Sequence, residues 1–446
     1  MNSLLRKKQI VQDLIRVRAK TARLMLRVQT SFWNKRVHDF YSPIGWHFGH
    51  IGMTEEHWTC TRALGRPPQN EELSFLFANI PENPKDNRIH VPVHEEVTAY
   101  LAATRSRSLA ALDAADLESK DPLLSDGYAW EFALQHECQH QETICELLQL
   151  IRKHDLLDED GLRGSRSTFD SSGARGDNRT FLSPSRLADS PMISVPGGTF
   201  TMGSDYQHGY DNEKRAHKVE VAPFHLDADP VTVADWQEFI RAGGYETVEN
   251  WSPEGVEWLR TTGANRPEYW LSRDGYDYYS SADGVRRVNR FEPVSSISWF
   301  EADAFARWAG KRLPTEPEWE FAAAFDPRSG HKCLYPWGDD PAGAAAVDCG
   351  FRNWGPASVA SRSKPNAVGA RGMAGGVWEW TSTPFLPYAG FEPFPYDGYS
   401  KDHMDGKHFV CRGGSWATDP RILRASFRNW YVPSYRQGFL GMRCAR

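Results

Sequence analysis

Two histidines set four residues apart are the first residues in this sequence whose spacing could support chemistry. They are His136 and His140, in the segment HECQHQE at positions 136–142. On a helix this spacing puts both imidazoles on one face, one turn apart, which suits two ligands of a single metal ion. As an HExxH pattern, the segment is typical of zinc proteases, with Glu137 as the base. As an H-x3-H-x-E pattern, which includes Glu142, it indicates a different metalloenzyme, so the rest of the chain has to decide between the two.

The elements that must position this pair lie in the first third of the chain. Residues Ile10, Leu14, Val17, Thr21 and Leu24 recur with the 3.6-residue period of a helix. Three further helices are predicted over residues 46–64, 94–115 and 128–153. We therefore predict a four-helix bundle, an architecture in which facing helices often hold metals. The proline-rich connection over residues 67–92 is long for a bundle, and we expect it to cover a site.

The sequence divides into three parts. Residues 1–153 form the predicted bundle, and residues 154–190, rich in Gly, Ser, Arg and Asp, form a predicted linker. Asp160 lies 20 residues beyond His140, where one class of zinc proteases carries its third ligand. Its position in the linker disfavours the protease interpretation. The remaining residues, 191–446, alternate short β-like segments with turns and predict a mixed α+β domain. The segments are 192–202, 217–226 and 408–412, with one or two helices between them, the clearest over 299–310.

Composition excludes several function classes. The net charge of the 446 residues is −6, and acidic and basic residues are interspersed, so no nucleic-acid partner is predicted. No apolar run is long enough to span a membrane, and the amino terminus does not resemble a secretory signal. The seven cysteines contain no CxxC, which favours free thiols in a reducing cytoplasm. Small molecules are the expected partners.

Four segments of the third part carry a resemblance to a known family. They are VPGGTFTMGS (195–204), RLPTEPEWEFAA (312–323), GGVWEW (375–380) and RGGSW (412–416). In this order they resemble the formylglycine-generating, sulfatase-modifying enzymes, which implies a C-type-lectin-like α+β fold. Formylglycine-forming members carry a copper-binding cysteine pair shortly after RGGSW, whereas this chain has ATDPRILRASFRNW. Without thiolates that chemistry has no Cu(I) site, so we expect the fold without the activity.

The bundle resembles DinB-type domains, whose metal is held by three histidines. GHIGMTEEHW (49–58) matches the first ligand segment and HECQHQE the second. A DinB-like bundle fused to a formylglycine-type domain resembles the ergothioneine-biosynthesis sulfoxide synthases, as does WEWTSTPFLPYAGFEPFPYDGYS (378–400). This resemblance implies a non-heme Fe(2+) enzyme that uses O2. The implied reaction bonds sulfur or selenium to the imidazole C2 of Nα-trimethylhistidine (hercynine), at a site expected between the two domains.

The resemblance assigns the metal ligands to His50, His136 and His140. Imidazole suits several transition metals, so iron rests on the resemblance alone. His47 is a rival for His50, since both can lie on one helical face. Glu142 lies about 200° around the helix from His140 and is expected in a supporting role or in a salt bridge.

Substrate residues are also implied by the resemblance. Gln139, Asn429 and Trp430 match positions that contact hercynine, and an indole face attracts a quaternary ammonium. Tyr396 matches the catalytic tyrosine, a phenol that can donate a proton, and Tyr399 is expected to line the same pocket.

Two departures concern the sulfur or selenium donor. Members that use γ-glutamylcysteine hold it with two arginines spaced RxxR, whereas PKDNRIHVP (84–92) has Arg88 alone. Those members carry an aspartate after FRNW, where this chain has Tyr431. We therefore favour a selenosugar donor, as in the related selenoneine synthases, over cysteine or γ-glutamylcysteine. Two other classes stay open from the sequence: a zinc-dependent DinB-type thiol transferase, and a non-catalytic ligand-binding protein on a lectin-like scaffold.

Overall fold

The computed structural model describes residues 2–158, 191–273, 275–361 and 364–446. The chain divides into two compact units, Met1–Leu162 and Arg163–Arg446. The first contains helices and the second mixes helices with strands, which confirms the expected multidomain α and α+β class. Among the described residues, no helix combines the length and the apolar character needed to cross a membrane.

The first unit contains the four long helices that periodicity predicted, together with a short one in the proline-rich connection. Their bounds are α1 Ser3–Met25, α2 Ile44–Glu56, α3 Glu71–Leu76, α4 His94–Ala114 and α5 Tyr128–Asp158. A π-helical turn, His57–Arg62, continues α2. Helix α5 runs to Asp158, five residues past the predicted end of the bundle at residue 153, and the rest of the predicted linker lies outside the described residues.

Packing in the bundle centres on α2. Every residue of α2 is buried, because α4 and α5 pack against it. Helix α1 packs on α5 with Ile10, Leu14, Val17 and Leu24 buried, as their helical period predicts.

Four charged side chains, one from each long helix, form a network inside this apolar core. Arg18 contacts Glu137 at 2.8 Å and Glu55 at 2.7 Å. Arg105 contacts Glu55 at 2.6 Å and Glu137 at 2.9 Å. We call Arg18, Glu55, Arg105 and Glu137 the charge quartet. Burial alone would raise the pKa of Glu137, but the two arginines outweigh it and leave that pKa below its usual value.

The second unit is built from short strands. They are β1 Met192–Val195, β2 Gly198–Met202, β3 His217–Val221, β4 Phe224–Asp227, β5 Trp270–Arg273, β6 Tyr276–Ser281, β7 Gly284–Arg287, β8 Phe325–Asp326, β9 His331–Lys332, β10 Trp378–Pro384, β11 Phe409–Arg412, β12 Asn429–Tyr431 and β13 Leu440–Gly441. The largest sheet has the order β12-β11-β10-β13, with β10 and β13 parallel and the other pairs antiparallel.

Four α-helices lie among the described residues of this unit, so the prediction of one or two was wrong. They are α6 Val233–Arg241, α7 Pro253–Thr262, α8 Trp299–Trp308 and α9 Glu316–Ala324. Each begins after a Ser or Thr whose side chain accepts a hydrogen bond from the first turn: Thr232, Ser252, Ser298 and Thr315. Such capping residues are visible in the sequence and could have predicted these helices, which are too short to show a clear helical period.

Buried ion pairs hold the irregular carboxy-terminal segments in place. Each joins an arginine beyond residue 411 to a glutamate distant in sequence, with both side chains almost entirely inaccessible to solvent. The pairs are Arg412–Glu320, Arg424–Glu213 (2.6 Å), Arg428–Glu316 (2.7 Å) and Arg443–Glu379 (2.7 Å).

Candidate active site

Three histidines converge inside the bundle unit. Helix α2 contributes His50, and one turn of α5 contributes His136 and His140. One ring nitrogen from each lies within 4.8 Å of the other two. The ring centroids of His136 and His140 are 4.4 Å apart, and His50 lies 4.9 Å from each. The i, i+4 spacing and the facing helix therefore assemble the predicted set of three imidazoles.

All three imidazoles are neutral at ordinary pH. Burial lowers the pKa of His50 to about 4, and it lowers the pKa values of His136 and His140 well below the usual value. A metal ion binds the unprotonated imidazole, so this environment prepares the nitrogens as ligands.

The orientation of His50 depends on the segment that follows the short helix α3. Its Nδ1 lies 2.6 Å from the carbonyl oxygen of Phe77, which can only accept, so Nδ1 donates and Nε2 is left for a metal. Trp46 stacks on the His50 ring at 4.5 Å. Gly49 permits this arrangement, since a Cβ there would lie 2.2 Å from the Phe77 ring. The connection predicted to cover a site therefore contacts this one directly.

His47 lies beside the cluster as a partner of His140. The two Nδ1 atoms are 3.1 Å apart, so His47 does not replace His50 in the set. Nδ1 of His136 is buried and has no hydrogen-bond partner within the part of the chain that the structure describes. An unpaired buried nitrogen next to two further neutral imidazoles fits a transition-metal ion.

Glu137 cannot act as the base of a zinc protease. Both carboxylate oxygens are engaged by Arg18 and Arg105, and the Thr21 hydroxyl donates to Oε1 at 2.6 Å. Among the described residues, the metal-ligating group around His50 contains no carboxylate, and Glu142 is outside it. The HExxH match is therefore a coincidence of spacing, as the helix geometry of Glu137 implies.

In the second unit, three of the predicted residues form an aromatic cluster. Tyr399 lies edge-on to Trp430, with ring centroids 5.9 Å apart, and 6.4 Å from Tyr396. Trp430 stacks on Phe385 at 4.3 Å and Tyr399 stacks on Tyr210 at 4.4 Å. We call Tyr396, Tyr399 and Trp430, with these two supporting rings, the aromatic cluster.

Two other predicted residues, Asn429 and Tyr431, flank Trp430 on the short strand β12. Successive side chains of a strand point to opposite faces, so Asn429 and Tyr431 share one face and Trp430 points to the other. The Asn429 amide donates to the Tyr431 hydroxyl at 3.3 Å. Tyr431 stacks on Tyr435 at 4.2 Å. Sequence reasoning missed Tyr435, whose spacing of four from Tyr431 carries no signal outside a helix.

Tyr396 remains a phenol at neutral pH. Its side chain is 42% exposed, yet burial of the hydroxyl and the negative charges of Asp211 and Asp402 raise its pKa to about 12. Burial likewise raises the pKa of Asp211 to about 6. A protonated phenol at the solvent edge of the aromatic cluster is suited to donate a proton.

Two predicted substrate residues lie in the bundle unit, and their substrate contacts stay predictions. Gln139 is partly buried and directly precedes His140 on α5. Arg88 is 5% exposed and its guanidinium lies over the Trp46 ring at 4.5 Å. It donates to Asn83 O at 2.9 Å, Ser42 Oγ at 3.1 Å and Asn79 Oδ1 at 2.9 Å.

Comparison with known protein families identifies the two domains of the chain. The family described as "DinB superfamily" matches residues 13–144, and the family described as "Sulfatase-modifying factor enzyme 1-like domain" matches residues 180–446. A formylglycine-generating enzyme of Streptomyces coelicolor is 33% identical over 57% of this chain and 88% of its own length. The chain thus combines a DinB domain with a sulfatase-modifying-factor domain.

Relatives that span both domains define the particular family. The hercynine oxygenase of Mycolicibacterium smegmatis is 35% identical over 98% of each chain, and that of Mycobacterium tuberculosis is 36% identical over the same share. This chain belongs to the hercynine oxygenase family, and it is an enzyme of the oxygenase type. That membership confirms the resemblance to the ergothioneine-biosynthesis enzymes and does not favour the zinc transferase.

Proposed function

We propose that this protein is an Fe(II)- and O2-dependent oxidoreductase that bonds selenium or sulfur to the imidazole C2 of hercynine. The observation that carries the proposal is the convergence of His50, His136 and His140 as three neutral imidazoles inside the bundle unit. They lie in a chain that matches hercynine oxygenases along 98% of its length.

The three histidines would hold the iron, and three protein ligands leave coordination positions for small molecules. When bound, Fe(II) supplies the redox chemistry with O2. The Phe77 carbonyl fixes the ring of His50 in the tautomer that presents Nε2.

The residues of the aromatic cluster have separate roles in this proposal. The indole face of Trp430 attracts the trimethylammonium group of hercynine, an interaction of about 0.5–2 kcal/mol. Tyr396, held as a phenol, delivers a proton during the reaction. The family resemblance makes Gln139 and Asn429 further candidates to contact hercynine through their amides, and Tyr399 lies beside Trp430 in the aromatic cluster.

The donor is the finer part of the proposal, and we favour a selenosugar. A charged amino-acid donor needs anchors, and each lost charge-assisted hydrogen bond costs about 1.5–3 kcal/mol. Arg88 already donates to three partners within the bundle unit. Tyr431 belongs to a stacked phenol pair with Tyr435, and such rings suit a sugar better than an ammonium–carboxylate pair. Cysteine and γ-glutamylcysteine are the alternative donors.

A competition assay tests both parts of the proposal. The full chain is loaded with Fe(II) and given O2, hercynine and equal amounts of a 1-selenosugar, cysteine and γ-glutamylcysteine, with products resolved by mass spectrometry. We expect hercynine-dependent oxygen uptake and mainly the C–Se product. Turnover of γ-glutamylcysteine at least as fast as that of the selenosugar would overturn the donor assignment. The absence of any hercynine-derived product with all three donors would overturn the function.

A matched pair of variants connects the activity to the histidine cluster. His136→Ala removes a candidate ligand, and we expect it to abolish oxygen uptake. His57→Ala removes an imidazole from the π-helical turn that follows α2, outside the cluster, and should retain activity. Equal activity in the two variants would contradict the assignment of the metal site.

A further inference from the structure

The segment that carries Tyr396 has little regular structure of its own. It runs from Phe394 to Ser400 between strands β10 and β11 and contains Gly398. A proton donor must be held within hydrogen-bond reach of its acceptor, so a mobile segment would be a poor support for a catalytic phenol. Contacts from elsewhere in the fold must therefore position it.

Both ends of this segment are bonded to one buried carboxylate. The backbone N–H of Phe394 donates to Asp211 Oδ2 at 3.2 Å, and the hydroxyl of Ser400 donates to Asp211 Oδ1 at 2.5 Å. Asp211 is 3% exposed and Ser400 is fully buried. Tyr396 lies between the two attachment points, two residues from one and four from the other.

Neighbours of Asp211 strengthen the attachment. The Asn212 amide donates to the Ser400 hydroxyl at 2.9 Å, which orients that hydroxyl toward Asp211. Tyr210 stacks on Tyr399 with an interplanar angle of 14°. Three consecutive residues, Tyr210, Asp211 and Asn212, therefore all contact the segment from one side.

The residues that hold the segment, Tyr210, Asp211 and Asn212, are themselves fixed to the core of the second unit. Glu213, the next residue, pairs with Arg424 at 2.6 Å, accepts from the Ser426 hydroxyl at 2.7 Å and accepts from the Tyr210 backbone N–H at 2.9 Å. All of these groups are buried. Because a buried charge pair with good geometry is rigid, Asp211 is held at one place relative to β12 and the aromatic cluster.

We infer that Asp211 is a positioning residue for Tyr396, which it serves by binding both ends of the 394–400 segment. The inference rests on the proposed function, since it takes Tyr396 to be the proton donor. It assigns no contact with substrate to Asp211. Its consequence is that loss of the attachment should impair the chemical step without weakening hercynine binding to Trp430.

Steady-state kinetics of the Fe(II)-loaded full chain test this inference, with hercynine and whichever of the three donors gives most product. The variants are Asp211→Ala, Asp211→Asn and Ser400→Ala. We expect kcat to fall by roughly 10- to 100-fold in Asp211→Ala, while KM for hercynine stays within about twofold. Asp211→Asn keeps one carbonyl oxygen as an acceptor and should retain more activity. Ser400→Ala removes one attachment with minimal change of volume, and it serves if Asp211→Ala does not fold.

The double-mutant cycle with Tyr396→Phe separates positioning from a general structural effect. If Asp211 acts through Tyr396, its substitution should change kcat by less than about twofold once the phenol is gone. A full, additive loss in the Tyr396→Phe background would overturn the inference, as would unchanged kcat in Asp211→Ala and Ser400→Ala. If Tyr396→Phe alone retains wild-type kcat, the catalytic assignment of Tyr396 fails instead, which is a separate result.

Asp402→Asn is the matched control. It also removes a negative charge that raises the pKa of Tyr396, but Asp402 is exposed and lies outside the attachment at Phe394 and Ser400. We expect its kcat to remain within about twofold of wild type, because exposed charges are screened by solvent and salt. A loss equal to that of Asp211→Asn would assign the effect to charge and overturn the positioning role.

Discussion

The histidine cluster and the aromatic cluster are built in opposite ways. His136 and His140 are placed by one turn of a single helix, and His50 by the helix that packs against it. The rings of the aromatic cluster come from loops and a three-residue strand, held by contacts between residues about 190 positions apart. Helical spacing places two of the three histidines, whereas the aromatic cluster depends on buried polar contacts between residues distant in the sequence.

The bundle also depends on long-range contacts, those of the charge quartet. Disrupting the quartet should have the largest effect on the free energy of unfolding. Glu137→Gln leaves Arg18 and Arg105 with one carboxylate fewer in a buried site. We expect a loss of about 3–5 kcal/mol in the free energy of unfolding, measured with urea. Glu96→Gln, at an exposed position of α4, should change it by less than about 0.5 kcal/mol. Similar values for the two variants would mean that helical packing alone suffices.

The next largest effect should come from Gly49, which allows the segment that follows α3 to approach His50 closely. In Gly49→Ala the new methyl group meets the Phe77 ring, and overpacking of this kind costs about 1–3 kcal/mol. Displacement of the Phe77 carbonyl should also weaken iron binding by about 10- to 100-fold. Gly52→Ala is the control, because a Cβ there would have its nearest contact at 3.1 Å. It should have a smaller effect on both the free energy of unfolding and the affinity for iron. Unchanged iron affinity in Gly49→Ala would show that the carbonyl does not orient His50.

A smaller effect should arise in the aromatic cluster. Trp430→Leu removes the indole face, so affinity for hercynine should fall by roughly 2- to 30-fold, as expected for about 0.5–2 kcal/mol. Binding of unmethylated histidine should change less, so preference between the two ligands is the quantity to measure by calorimetry. Trp337→Leu removes an indole that stacks on Tyr335, outside the cluster, and should leave the preference intact. An unaltered preference in Trp430→Leu would reject the ammonium contact.

A pH dependence of stability should also arise from Asp211. Its pKa is raised from 3.8 to about 6, so the folded state binds this proton more tightly than the unfolded state. The resulting stabilisation is fully present below pH 4 and is lost as pH rises through about 6. Relative to Asp211→Asn, the wild-type protein should therefore become less stable between pH 4 and pH 6, measured by urea unfolding. A constant difference across that window would contradict the raised pKa.

The two clusters also differ in how far the sequence could predict them. Ile10, Leu14 and Val17 indicated α1 and its buried face, and the spacing of His136 and His140 indicated a shared helical face. The contact of Phe77 with His50 could not be foreseen, because a backbone carbonyl leaves no mark in the residue types. In the second unit, Tyr396 and Trp430 were named only through family resemblance. Asp211 was missed altogether, since its partners Phe394 and Ser400 are brought to it by tertiary structure.

The proposed function depends most on His50, His136 and His140 together forming one iron site. Equilibrium titration of the full chain with Fe(II) under anaerobic conditions tests it most directly, with wild type, the three single alanine variants and His57→Ala measured in parallel. We predict one tightly bound iron per chain in the wild type and in His57→Ala, and loss of tight binding in each of the other three. Retention of wild-type iron affinity in any of those three variants would contradict the account.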